Sequence, residues 1–175
     1  MTPEEIQKML FVSASEKYGD KYIEHLLEQY KIYISAAEKI SDRRQKANEF
    51  FLALNTALVA LLGFVTAKTD AGQLSVIVAL SSFAGITMGY LWYRIVLSYK
   101  GLNSGKFQVI HAIEQRLPLA LYDTEWEMMG RGTNKELYWP VTHIELRVPW
   151  IFIGIYCLLF LSALPWAVIR HLLCL

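Results

Sequence analysis

Along this chain the apolar residues gather into three long runs, 50–67, 74–96 and 148–169, and most of the charge lies outside them. At a helical rise of 1.5 Å per residue the first run reaches roughly 27 Å, close to a bilayer core of about 30 Å. Such runs predict three membrane-spanning helices, because in lipid a helix satisfies its own backbone polar groups. A short polar loop, 68–73, joins the first two runs as a tight hairpin. Ahead of the first run the pattern changes period. Ile23, Tyr30 and Ala37 are seven apart, and Leu26, Leu27, Tyr33, Ile34 and Ile40 fill a second stripe. Glu24, Glu28, Lys31, Glu38 and Lys39 occupy the remaining face. This predicts an amphipathic or coiled-coil-like helix of about two and a half heptads, too short to specify a partner. No proline or glycine interrupts Lys21 to Leu62, so one helix can continue from water into the membrane.

The stretch between the second and third runs reads as folded. Leu102, Phe107, Ile110, Ile113 and Leu117 predict an amphipathic helix stopped by Pro118, with Asn103 or Ser104 capping its start. Thr124 and Glu127 have capping-box spacing, which predicts a short helix opening at Thr124 and ending at Gly130. Pro140 suits the first position of another short helix reaching Glu145. The expected fold class is therefore an all-α integral membrane protein with three transmembrane helices and a helical cytoplasmic layer. Its segments are an amphipathic region at 1–49, a transmembrane hairpin at 50–97, a helical loop region at 98–147, and a third span with a short tail at 148–175.

Charge sets the orientation. Lys39, Arg43, Arg44 and Lys46 precede the first span, Arg94, Lys100 and Lys106 follow the second, and Arg147 precedes the third. Lys68 and Arg170 are the basic residues at the opposite ends. The positive-inside rule then puts the N-terminus in the cytoplasm and the C-terminus outside. Aromatic residues suit the interfaces: Tyr90, Trp92, Tyr93 and Tyr99 at one, Trp150 and Trp166 near the two ends of the third span. Arg43, Arg44, Lys46 and Arg94 are the expected contacts to anionic headgroups.

Composition narrows the chemistry. Of 175 residues, 54% are hydrophobic and the mean hydropathy is +0.29, high for a soluble protein of this size. A net charge of +1 offers no basic field for nucleic acid. The start is acidic and carries no cleavable signal peptide, so the first run is expected to act as an uncleaved span. Cys157 and Cys174 form no CxxC or Cys/His cluster, which leaves small apolar residues, or a Cys174 bridge between subunits on an oxidising side, as their roles. No phosphate-binding glycine loop, nucleophile triad or cofactor motif is present, so no cofactor and no enzymatic activity are expected.

Several polar features are candidate sites. Asn55 and Thr56 lie one turn inside the first span, where they either pack between helices or line a pore. Ser81, Gly85 and Gly89 form a small-residue stripe for close approach by the first span, with its Ala53, Ala57 and Ala60, or by a neighbouring subunit. Pro165 is placed to kink or end the third span. In the cytoplasmic region His111 and Glu114 are three apart on one predicted helix, as a surface or interhelix hydrogen-bonding pair, half of a metal site or an acid–base pair. Asp123, Glu125 and Trp126, with Glu127, form an acidic helix start that also suits a cation or a basic partner.

Two stretches carry a resemblance. One runs through 30–33 (YKIY), 41–48 (SDRRQKAN) and 50–58 (FFLALNTAL). The other includes Ser98, Tyr99, 102–111 (LNSGKFQVIH), Glu114, Leu117, Pro118, Tyr122, Glu125, Trp126 and 147–150 (RVPW). Together they are similar to the RipA-type family of small bacterial inner-membrane proteins. That resemblance spans about residues 30–160. It implies a ring-shaped homo-oligomer, an octamer, in the bacterial inner membrane, and implies no chemistry. In size, and in the spacing of Lys106 and His111, the chain also loosely resembles the octameric membrane-pore accessory of RNA-targeting CRISPR systems. The expected function is a non-enzymatic membrane homo-oligomer that scaffolds or conducts. The alternatives are a gated pore or regulator in antiphage defence, and an enzyme built on His111 and the loop carboxylates.

Overall fold

A computed structural model describes residues 2–67, 71–134, 136, 138 and 141–164. Its elements are α1 (Pro3–Leu10), α2 (Ser15–Tyr18), α3 (Tyr22–Thr66), α4 (Ala71–Glu114), α5 (Leu121–Met128), a 3-10 turn (Gly130–Gly132), α6 (Thr142–Glu145) and α7 (Val148–Ala163). The described residues contain no strand. Three stretches are long and apolar enough to cross a membrane, Tyr22–Thr66, Leu74–Glu114 and His143–Ala163, each containing an 18-residue segment with a mean hydropathy of 1.8. The all-α, three-span class is thus the observed one. Lys68, Pro140, Pro165, Trp166, Arg170 and Cys174, which carried expectations above, lie outside the described residues.

The 45-residue α3 is continuous, as the absence of proline and glycine up to Leu62 predicts. The expected break after the second span is not there. α4 runs unbroken for 44 residues through Gly101, Asn103, Ser104 and Gly105, so neither Asn103 nor Ser104 caps a new helix. An isolated glycine costs a helix about 1 kcal/mol relative to alanine, whereas a stop needs a proline or a competing cap. The next proline in this stretch is Pro118, beyond the helix end. A Cβ at Gly101 or Gly105 meets nothing within 4 Å. Gly101→Ala and Gly105→Ala should therefore each stabilise α4 by about 0.5–1 kcal/mol. Thermal melts followed by circular dichroism check this, and a lowered midpoint for either variant refutes it.

The capping box expected at Thr124 is also absent. Thr124 sits inside α5, whose N-cap is Ala120 and which has no capping bond from that residue's side chain. The cap comes instead from a distant residue, described below. The chain does turn at Gly130, where φ is +64°, and Arg131 and Gly132 follow at +51° and +68°. Glycine adopts this left-handed conformation without the Cβ penalty that Arg131 incurs.

The described chain divides into two compact units. Unit 1 comprises residues 1–45 and 98–143, and unit 2 comprises 46–97 and 144–175. In unit 1, α1 is closed by a capping box between Thr2 and Glu5. It is tied to the end of α4 by Gln7 Nε2, which donates to Ala112 O at 2.6 Å and Gln115 Oε1 at 2.8 Å. The Arg116 guanidinium lies 3.5 Å from the Phe11 ring centroid. Ala37, Ile110, Ala112 and Ile113 form the buried apolar core of this unit.

In unit 2 the buried face of α4 reads Val78, Ser82, Gly85, Gly89, Trp92 and Val96, alternating steps of four and three. The small residue on this seam is Ser82, fully buried, while Ser81 is half-buried beside it. What fills the seam is α7, not the first span. The Tyr156 ring lies over Gly85, and Ile153 and the Pro149 carbonyl lie over Gly89. Trp92 donates Nε1–H to Asn48 Oδ1 at 2.8 Å and stacks on Phe51 at 6.0 Å between centroids, and the Phe152 ring lies 6.0 Å from the same indole. Helices α3, α4 and α7 thereby meet at one indole.

Candidate functional site

The polar chemistry of unit 1 is organised by Glu114, the last residue of α4 and almost fully buried. Its Oε1 accepts the Tyr30 hydroxyl at 2.8 Å and the Tyr122 N–H at 2.9 Å, and its Oε2 accepts the Asp123 N–H at 3.0 Å. The two amides belong to the first turn of α5, whose N–H groups have no partner inside the helix. A carboxylate is a strong acceptor there and complements the positive end of the helix dipole. Glu114 is therefore the cap that the sequence of α5 lacks, delivered from eight residues upstream. Burial, reinforced by the hydrogen bond and the negative charge of Glu114, raises the pKa of Tyr30 above its ordinary 10. Its hydroxyl thus remains a donor throughout the neutral range.

By fixing α5, Glu114 also fixes the Asp123 side chain. That carboxylate lies 3.5 Å from His111 Nδ1 and 3.5 Å from Arg131 Nη2, while Arg131 also pairs with Glu127 through Nε. His111 and Glu114 are not directed at each other: His111 faces Asp123, and Glu114 faces Tyr30 and the α5 amides. Lys106 does not join His111 either. Its Nζ sits 4.3 Å from the Tyr33 ring centroid. Among the described residues no group of three His, Cys, Asp or Glu side chains is placed to hold a metal ion.

Beside this network lies an open cleft of about 840 Å³, contained within unit 1. Arg44, Lys100 and Arg131 bring positive charge to it, and Glu125 is its lining carboxylate. Phe107, Tyr122, Trp126 and Tyr138 supply aromatic walls, with Trp126 and Tyr138 edge to face at 6.3 Å. Asn103 and His111 also line it. Asn103 Oδ1 and His111 Nε2 are buried atoms without a hydrogen-bond partner among the described residues.

Several residues singled out from the sequence meet here: His111, Glu125 and Trp126 line the cleft, and Glu114 and Asp123 support it. Arg44, expected at headgroups, is half-buried in its wall, while Arg43, Lys46 and Arg94 are exposed. The Ile23, Tyr30, Ala37 stripe divides: Ile23 is exposed, whereas Tyr30 and Ala37 face inward within the chain. Tyr30, Lys100 and Arg131 were not recognised as site residues. The available signal was Tyr30 itself, since a tyrosine on a buried stripe needs a partner for its hydroxyl.

The pair in the first span separates. Asn55 is fully buried in unit 2, donates Nδ2–H to Phe51 O at 2.8 Å, and its own carbonyl accepts the Tyr156 hydroxyl at 3.1 Å. Within the single chain it is packed among the helices of unit 2. Thr56, the next residue, is exposed. Cys157 is a free, exposed cysteine.

No curated protein and no solved structure matches this chain. A family model described as the octameric membrane protein family (8xMP) matches residues 27–165. The matched stretch takes in most of α3 and all of α4 to α7, with the Glu114 network, the cleft and the three apolar helices. On that match, the chain belongs to the octameric membrane protein family.

Proposed function

We propose that this protein is a non-enzymatic homo-octamer of the bacterial cytoplasmic membrane, a ring that holds its helical unit 1 at the cytoplasmic face. The family match supports the oligomer, and one structural observation carries the argument further. Within a single chain only 11%, 22% and 11% of the residues in an apolar 18-residue segment of each of the three candidate spans are buried. Most of the surface of these helices is left for lipid and for other copies. The basic residues Arg43, Arg44, Lys46 and Arg94 support the N-in orientation. Reporter fusions test it: one active only outside the cytoplasm should be silent at Asn134, and activity there overturns the placement of unit 1.

The assembly face of this reading is on α3. Ala53, Thr56, Ala57, Ala60 and Gly63 are all exposed, and a Cβ on Gly63 meets nothing within 4 Å. Spans associate through close packing, since lipid tails are as apolar as leucine. Small residues left uncovered at helical spacing suit a neighbouring subunit. Ala60→Leu or Gly63→Leu should lower the octamer population several-fold in native mass spectrometry from mild detergent. An unchanged octamer at unchanged yield assigns this face to lipid.

The second reading is a conducting ring, as in a gated pore of antiphage defence. Thr56 favours it, as a polar side chain exposed on α3 at membrane depth. Planar-bilayer recording separates the two. A current abolished by Thr56→Val, with the octamer retained, supports conduction, and silence of the wild-type octamer supports the scaffold.

A further inference from the structure

The cleft in unit 1 has a chemistry that a scaffold does not need. Arg44, Lys100 and Arg131 face it against one lining carboxylate, Glu125, so its balance favours an anion. Arg131 is engaged with Asp123 and Glu127, and Arg44 has an interaction of its own. Lys100 is half-buried and makes no ion pair among the described residues. An ammonium group held in a cleft without a counterion is a natural seat for phosphate oxygens.

Charge alone describes a phosphate site, but two further observations ask for more than phosphate. The Trp126 and Tyr138 rings line the same cleft, and flat aromatic ligands stack on such walls. Asn103 Oδ1 and His111 Nε2 are buried there without partners. Asp123 Oδ1 lies 3.5 Å from His111 Nδ1, and in the tautomer that carries its proton on Nδ1 the ring presents Nε2 as an acceptor. Buried acceptors left unpaired are costly, so a ligand that donates to both is selected over one that does not. A phosphate, a flat ring and amino or hydroxyl donors occur together in a nucleotide. A lipid headgroup supplies phosphate and hydroxyls without the flat ring, and free phosphate uses only the cations. The cleft volume of about 840 Å³ also falls within the usual range for small-molecule sites, roughly 300–1,000 Å³.

We propose that this cleft is a nucleotide-binding site, with the phosphates held by Lys100, the base against the Trp126–Tyr138 pair, and donors of the base or sugar directed to Asn103 Oδ1 and His111 Nε2. Such a ligand touches α4, α5 and the residues after the 3-10 turn at once. It ties together segments that otherwise meet through the Glu114 network. Binding therefore stabilises unit 1 in proportion to ligand concentration above the dissociation constant.

The experiment uses the full-length chain purified as its oligomer in mild detergent, with isothermal titration calorimetry as readout. The probes are ATP and GTP, beside adenosine, inorganic pyrophosphate and phosphatidylglycerol vesicles. At least one nucleotide should bind saturably, and adenosine and pyrophosphate should each bind at least about tenfold more weakly. Lys100→Glu and Asn103→Leu should each weaken the nucleotide at least about tenfold, while Lys31→Glu, outside the cleft, leaves it unchanged. Should Lys100→Glu fail to assemble, Lys100→Gln removes the charge at nearly the same length. The oligomer is confirmed by native mass spectrometry in every case, which keeps loss of binding distinct from loss of assembly. No saturable nucleotide binding, or binding that survives both cleft variants, overturns the proposal. Pyrophosphate binding as tightly as the nucleotide reduces the cleft to an anion site, and competition by the vesicles makes it a headgroup site; either result also overturns it.

Discussion

Replacing Glu114 with alanine should release α5 from unit 1 and cost about 3–5 kcal/mol of that unit's stability, the range for removing a buried charged group with several partners. Three donors lose their acceptor at once: the Tyr30 hydroxyl and the Tyr122 and Asp123 amides. No side chain of α5 replaces the cap, because Ala120 occupies the N-cap. Glu114→Gln is not a mild substitution here. Its carbonyl oxygen can keep the two donors now shared by Oε1, but its NH₂ then faces the Asp123 N–H, donor against donor. The expected loss is about 2 kcal/mol. Tyr30→Phe removes one donor and leaves both amides capped, for about 1 kcal/mol. Limited trypsin digestion reads the order directly. Arg116 and Arg131 flank α5, and cleavage there should accelerate most in Glu114→Ala, less in Glu114→Gln and least in Tyr30→Phe. Protection of Arg131 unchanged in Glu114→Ala would remove Glu114 from its organising position.

The pH dependence of the same contact has a definite sign. Tyr30 has its pKa raised in the folded chain. Its contribution is fully present below the ordinary tyrosine pKa of about 10 and is lost as pH rises through the higher folded value. Alkaline loosening of α5 should therefore begin above pH 10 in the wild type, and Tyr30→Phe should flatten that part of the profile.

This network shows what could and could not be read in the sequence. Long-period features were legible because each is local. Three apolar runs long enough for a bilayer, and an α3 segment free of proline and glycine, need no knowledge of the neighbours. The end of α5 at Gly130 was legible for the same reason. The misreadings share one cause, a local rule overridden by tertiary contact. Asn103 and Ser104 look like caps, yet α4 continues through them. Thr124 and Glu127 have the right spacing for a capping box, yet the helix already opens at Leu121, where Glu114 caps it, and the Thr124 N–H is bonded to Ala120 O. The cleft was legible only in fragments. His111, Glu125 and Trp126 announce themselves by type, but Lys100 and Arg131 look like any surface cations until α4 and the 3-10 turn bring them to one wall. The small stripe on α4 was recognised, with Ser82 rather than Ser81 on its seam, but its occupant was not. An aromatic ring arriving from α7, more than sixty residues downstream, leaves no trace in the local pattern.

That ring makes Gly85 the least replaceable position in unit 2. A Cβ built on Gly85 falls 2.5 Å from Tyr156 Cζ and 2.6 Å from both Cδ1 and Cδ2, which places it over the ring face. The ring is fully buried and anchored at its far end, where the hydroxyl donates to Asn55 O at 3.1 Å. It cannot swing aside without breaking that bond or moving α7. Gly85→Ala should therefore cost about 3 kcal/mol or more, the upper end for overpacking, and Gly85→Leu should prevent assembly of the three helices. Gly89→Ala should be milder. Its nearest contact, 2.7 Å, is to Ile153 Cγ1, part of a side chain with another rotamer available, although Pro149 O stands at 3.4 Å. Tyr156→Phe, which removes only the hydroxyl, should cost no more than about 1 kcal/mol, as interhelical hydrogen bonds in membranes do. The decisive variant is the pair Gly85→Ala with Tyr156→Ala. The smaller side chain at 156 relieves the clash, so the double variant should be more stable than the two separate losses added together, by about 1–3 kcal/mol of coupling. Thermal aggregation midpoints in detergent, taken with native mass spectrometry, give all four corners of the cycle. Strict additivity would mean that Gly85 and Tyr156 do not meet, and that α7 packs elsewhere on α4.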